Sequence, residues 1–228
     1  MEPVTLTIII ASAIFGSAGV TATVCKWEDI LFALKGKRIA ILGVQQVGKT
    51  TLFTYIEKGV WLDNYQATVL PKEIGKRKLR KEDLEIRLRK TRDVPGSASA
   101  DIRSQWQKIV EDSDIILYIV RTDLLLREDE RMGQRVENDI QHIGEWVKNS
   151  SKLFFIVGNH WNTDAEFESF IRDREARYLG RFKELPIYHK LTQLLGGGAM
   201  MKVVLGSLSD SRSADQLIVE IFRQVLQK

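Results

Sequence analysis

KRIAILGVQQVGKTTLFTYIEK, residues 37–58, decides how the rest of the chain is read. Residues 38–43 (RIAILG) are a short apolar run ended by a glycine, the pattern of a buried strand. Residues 49–58 carry the spacing of a helix. Between them, residues 43–50 read GVQQVGKT and fit G-x-x-x-x-G-K-[ST]. The context that gives this string meaning, a strand before and a helix after, is present. Gly43 and Gly48 let backbone N–H groups curl around phosphate oxygens. Lys49 is placed for the outer phosphates and Thr50 for a magnesium ion, and the helix N-terminus adds its partial positive charge. The expectation is a phosphate-binding loop for a nucleoside triphosphate.

Outward from this loop, buried strands alternate with amphipathic helices. Residues 60–71 have no period and read as a loop. Residues 72–80 and 84–91 alternate in the manner of a hairpin turning at 81–83. Ile102, Trp106, Ile109 and Val110 fall on one helical face. Strands are expected at 114–120 (DIILYIV), 153–158 (LFFIVG) and 201–206 (MKVVLG). Helices are expected at 128–149, at 164–180 and in a closing segment with Leu217, Ile218, Ile221, Phe222 and Val225 on one face. The fold class is α/β: a mostly parallel six-stranded sheet with helices on both faces. The segments 97–100 and 196–198 are the soft spots.

The first 25 residues differ from the rest. Positions 3–25 hold 23 residues without a charge, and a membrane-spanning helix needs ~20. Only Glu2 precedes the run, which does not suit a signal peptide. Lys26, Lys35, Lys37 and Arg38 follow it, so the positive-inside rule puts the C-terminal flank in the cytoplasm. The expected layout is a transmembrane anchor at 1–25, a connector at 26–36 and one nucleotide-binding domain at 37–228. The single cysteine, Cys25, excludes an internal disulfide. The net charge of +4 is too small to argue for nucleic acid.

The motifs resemble those of the small-GTPase (Ras-like) superfamily over about residues 37–228. Thr68, 18 residues after Thr50, is similar to the family's first switch threonine. Asp93-Val94-Pro95-Gly96 is similar to D-x-x-G, Asn159-His160-Trp161-Asn162 to N-K-x-D, and Gly206-Ser207-Leu208 to the short loop that touches the base. The resemblance implies GTP or GDP as ligand and magnesium as cofactor. It implies nucleotide contacts from Gly43, Val47, Gly48, Lys49, Thr50, Thr51, Thr68, Asp93, Gly96, Asn159, His160, Asn162, Ser207 and Leu208. It implies metal contacts from Thr50, Thr68 and Asp93. Hydrolysis would involve Lys49, Thr68, Gln45 and Ser97. One N-terminal span followed by such a domain also resembles the layout of signal recognition particle receptor beta subunits.

Several residues depart from the family pattern. Asn162 stands where the family has the aspartate that accepts two hydrogen bonds from guanine, and an amide offers one acceptor and one donor group. Guanine, xanthine and adenine nucleotides therefore stay open as ligands. His160 replaces the lysine whose stem packs on the base. Ser97 stands in the place of the water-orienting glutamine, and Gln45 and Gln46 replace small loop residues. Arg77 and Arg92 are candidate internal arginines. Slow hydrolysis follows, below ~10⁻² s⁻¹ for the isolated domain. A module that binds nucleotide without hydrolysing it is the alternative, and an ATPase is a third reading.

Residues 72–92 carry ten Lys/Arg against four Asp/Glu, a local charge of 10 − 4 = +6. Beside a bilayer this segment would meet anionic headgroups. On an edge hairpin the same lysines discourage strand–strand aggregation. The expected partners are a purine nucleotide, a membrane and an effector or activator protein, and not nucleic acid.

Overall fold

The computed structural model describes residues 37–44, 46–58, 86–87, 100–148, 150–163, 174–198 and 201–226. In chain order they form β1 (Ile39–Gly43), α1 (Lys49–Lys58), β2 (Ile86–Arg87), α2 (Ala100–Glu111), β3 (Ile115–Arg121), α3 (Thr122–Leu126) and α4 (Glu130–Val147). Then come β4 (Leu153–Asn159), a 3-10 turn (Trp161–Thr163), α5 (Arg174–Glu184), α6 (Pro186–Leu194), β5 (Met201–Leu205) and α7 (Ser211–Leu226).

The strands lie in the order β2-β1-β3-β4-β5, and every described pairing is parallel. The α/β class with a parallel sheet is therefore as the pattern predicts. The sheet has five strands among the described residues rather than six. The expected hairpin arm at 72–80 lies outside them, and so do the anchor at 1–25 and the connector at 26–36. Among the described residues no helix is long and apolar enough to cross a membrane.

Alternation along each strand builds two cores. Ala40, Leu42, Ile116, Tyr118, Val120, Phe154 and Ile156 face one side. There they pack with Trp106 of α2, Val136 and Ile140 of α4, Phe182 of α5 and Leu191 of α6. Ile39, Ile41, Ile115, Leu117, Ile119, Phe155 and Val157 face the other side, against Leu52 of α1 and Leu217, Ile218 and Phe222 of α7. Strands covered on both faces read as continuous apolar runs, and β1 and β3 do.

Two elements differ from the expectation. Thr122–Leu126 forms a short helix where none is predicted. Of the helix expected at 164–180, residues 164–173 lie outside the described residues; α5 covers the rest and runs on to Glu184, and an unexpected α6 follows with Pro186 in its first turn. A proline is tolerated there and breaks a helix that would run through it. The segment contributes to the core: Tyr178, Phe182, Leu185, Leu191 and Leu195 are all buried. The predicted soft exit at 196–198 begins as a bonded turn. Gly197 N–H donates to Thr192 O at 2.8 Å, with both Gly196 and Gly197 at positive φ.

Candidate functional site

The carboxyl ends of β1, β3, β4 and β5 lie at one edge of the sheet. Gly43 pairs with Ile119, Arg121 with Asn159, and Gly158 with Leu205. Loops leaving this edge form the crevice where ligands of open parallel sheets bind.

The 43–50 loop leaves β1 in a conformation that needs its glycines. Gly43 has φ 136° and Gly48 φ 98°, and Gln46 between them is left-handed at 60°. A side chain on Gly43 would press into the Ile119 carbonyl. A Cβ on Gly48 would sit 2.7 Å from Asn159 Nδ2 and 3.0 Å from Leu208. The Lys49 ammonium donates to the Gly43 carbonyl at 2.8 Å and to the Val44 carbonyl. Val47 is fully buried, and Thr50 and Thr51 are half-buried at the start of α1.

Asn159 ties the loop to its surroundings and is itself 3% exposed. Its Nδ2 donates to the Val47 carbonyl at 2.9 Å. Its Oδ1 accepts the Leu208 N–H at 2.9 Å and the His160 N–H at 2.8 Å. One amide thus joins the 43–50 loop, the end of β4 and the loop after β5. Gly206 N–H donates to Gly158 O at 2.8 Å and sets the start of that last loop. Ser207 Oγ then reaches Asn162 Oδ1 at 2.8 Å.

His160, at φ 65°, stands beside Gln46, Arg121 and Asp123 and hydrogen-bonds the Gln46 backbone. Burial pushes the imidazole's pKa below its ordinary 6.5, and the Arg121 charge lowers it further. Asp123 and the Gln46 contact oppose this without reversing it. Arg121 Nε donates to Asp123 Oδ1 at 2.8 Å. Burial raises the Asp123 pKa, but the hydrogen bond and charge of Arg121 outweigh it and hold the carboxyl below its ordinary value. The ordering of this edge therefore keeps a neutral imidazole next to an ion pair.

Of the predicted site residues, the structure brings together Gly43, Val47, Gly48, Lys49, Thr50, Thr51, Asn159, His160, Asn162, Ser207 and Leu208 at one edge. Gln45, Thr68, Asp93, Gly96 and Ser97, with the candidate arginines Arg77 and Arg92 and most of the 72–92 basic segment, lie outside the described residues. No group of three metal-ligating side chains occurs among the described residues, where Thr50 is the one predicted metal ligand. Arg121 and Asp123 escaped the sequence reading. The available signal was their position directly after a buried strand, where site residues collect. The chain matches no protein-family model and no curated protein.

Proposed function

We propose that this chain is a magnesium–nucleoside-triphosphate switch of the small-GTPase type. The observation that carries the reading is the Asn159 staple. It holds a strand–loop–helix phosphate motif and the loop after β5 in one assembly at the carboxyl edge. That edge is where a purine nucleotide laid across a parallel sheet would lie.

The loop suits a triphosphate by its donors. Backbone N–H groups at the start of α1 and the Lys49 ammonium supply positive charge where phosphates would sit. The Lys49 contacts to Gly43 and Val44 carbonyls draw the loop around its own ammonium. A phosphate would exchange those contacts to neutral carbonyls for contacts in which both partners are charged. Magnesium would be held by Thr50, with Thr68 and Asp93 completing the set. It would screen the phosphate charge as a partner reads the ordered switch segments at 60–71 and 93–100.

GTP is the first ligand to test. Ser97 and Gln45 leave the water-orienting machinery incomplete, so turnover below ~10⁻² s⁻¹ is expected. Those same residues favour the second reading, a non-hydrolysing module that uses nucleotide as a structural ligand. The first 25 residues would anchor the switch to a membrane with the domain facing the cytoplasm. Calorimetric titration with GTP and magnesium tests the central claim, and Lys49→Ala is its control. Tight binding by the Lys49→Ala protein overturns it. Single-turnover hydrolysis separates a slow enzyme from the module.

A further inference from the structure

A groove of about 400 Å³ lies between the start of α4 and the start of α6. Its base is apolar: Leu125 and Leu185 are buried, and Pro186 and the half-buried Ile187 form one wall. Its rim is acidic. Glu128, Asp129, Glu130 and Glu137 stand around it against a single cation, Lys190, in a chain whose net charge is +4. That cation is already engaged, because its ammonium meets Glu137 Oε1 at 2.6 Å and bridges the two walls. Asp129 caps α4 by accepting the Met132 N–H at 2.8 Å. Arg127, next to the rim in sequence, donates to the Thr163 carbonyl instead. Glu128 and Glu130 are exposed and form no ion pair among the described residues. Gly133 of α4 also lines the groove, and a Cβ on it would meet nothing within 4 Å. Glycine is a poor helix former, so α4 gives up stability at a turn that borders the opening.

We infer that this groove docks a cationic peptide segment of a partner protein. An apolar side chain of that segment sits against Leu125, Leu185 and Ile187, and its arginines or lysines face Glu128 and Glu130. Charge complementarity chooses this occupant. The carboxylates surround the groove, and no three of the described metal-ligating side chains converge where a single ion could sit. Their match is therefore a cation drawn out along the rim, with charges spaced along a chain. The apolar base excludes a purely polar polycation as the best fit, since it offers such a molecule nothing to bury. Seating the anchor supplies affinity, and the rim charges supply the choice of partner and the rate of encounter. None of the lining residues belongs to the site above, so the inference does not rest on nucleotide binding.

The test is fluorescence anisotropy of a labelled RLRRLR peptide titrated with the full chain. Binding that weakens as salt is raised is expected, because the rim pairs are open to screening. The leucine-free peptide RGRRGR should bind ~10-fold more weakly, the scale of one leucine side chain withdrawn from water. Gly133→Trp fills the opening, leaves every carboxylate in place and should also weaken RLRRLR by ~10-fold or more. Glu128→Gln combined with Glu130→Gln should weaken it by ~3-fold or more, since exposed ion pairs are individually weak. That double variant alters only exposed side chains, so it carries the test even where Gly133→Trp fails to fold. Absent binding of RLRRLR, equal binding of RGRRGR, or binding untouched by the double variant overturns the inference. So does a full chain that sediments as a dimer and becomes monomeric with Gly133→Trp, because the occupant is then a second copy.

Discussion

The Asn159 amide uses both of its ends on backbone groups that have no other described partner: the Val47 carbonyl on one side, the Leu208 and His160 N–H groups on the other. Truncation to alanine leaves buried polar groups unpaired, each at a cost of ~1–3 kcal/mol. Asn159→Ala should therefore lower unfolding stability by about 2–4 kcal/mol in urea titrations and abolish nucleotide binding. Gly48→Ala meets the same amide from the other side. Its φ of 98° and its approach to Asn159 Nδ2 predict a loss of at least ~1–2 kcal/mol. His160 supplies a pH dependence. Its folded-state pKa is depressed below 6.5, so the unfolded chain takes up the proton first as pH falls. Its contribution is complete above about 6.5 and is lost as pH drops through the folded value. Urea midpoints at pH 7.5, 6.5 and 5.5 should decline in that order, and His160→Gln should flatten the decline.

Two glycines of α4 make opposite predictions. A Cβ on Gly144 would lie 2.6 Å from the Leu194 carbonyl of α6, so the two helices touch backbone to side at that point. Gly144→Ala should push α6 outward and cost ~1–3 kcal/mol. Gly133, nearer the start of the same helix, has nothing within 4 Å of a Cβ. Gly133→Ala should raise stability by ~0.5–1 kcal/mol through helix propensity alone. Chemical denaturation of the pair separates packing from propensity. The elements themselves were unequally legible. β1, the loop and α1 could be read from residues 37–58, because period, glycine positions and helix start agree. The extension of α5 to Glu184 and the separate α6 were not, since the expected helix stops at 180, although Pro186 is a residue that suits a helix start. The five-residue α3 has too few turns for any periodicity, and so Arg121 and Asp123 on either side of its start went unnoticed.

At the scale of the molecule, the two cores explain why the fold class was the easiest part to read. Every central strand is apolar on both faces, and that pattern leaves room only for helices above and below. The grouping of Asn159, Ser207 and Leu208 with the 43–50 loop was legible because strand ends of a parallel sheet share an edge. The pairing of Ser207 with Asn162 was not, because it depends on side-chain directions that spacing does not specify. Binding should reach the whole fold. A ligand at 100 times its dissociation constant adds ~2.7 kcal/mol to unfolding stability. A melting temperature that climbs with nucleotide concentration, and does not climb for Lys49→Ala, is the expected outcome.

The placement of α7 has a consequence for how the chain is made. Leu52 and Tyr55, just after the 43–50 loop, share a core with Leu217, Ile218 and Phe222 of α7. Leu208, which closes over Gly48, arrives equally late. A ribosome delivers the loop well before Leu208 and α7, which pack against it. Nascent chains stalled before residue 201 therefore expose the apolar face of β1 and β3 that α7 covers. Such chains should be captured by chaperones and cut readily by protease until α7 has emerged.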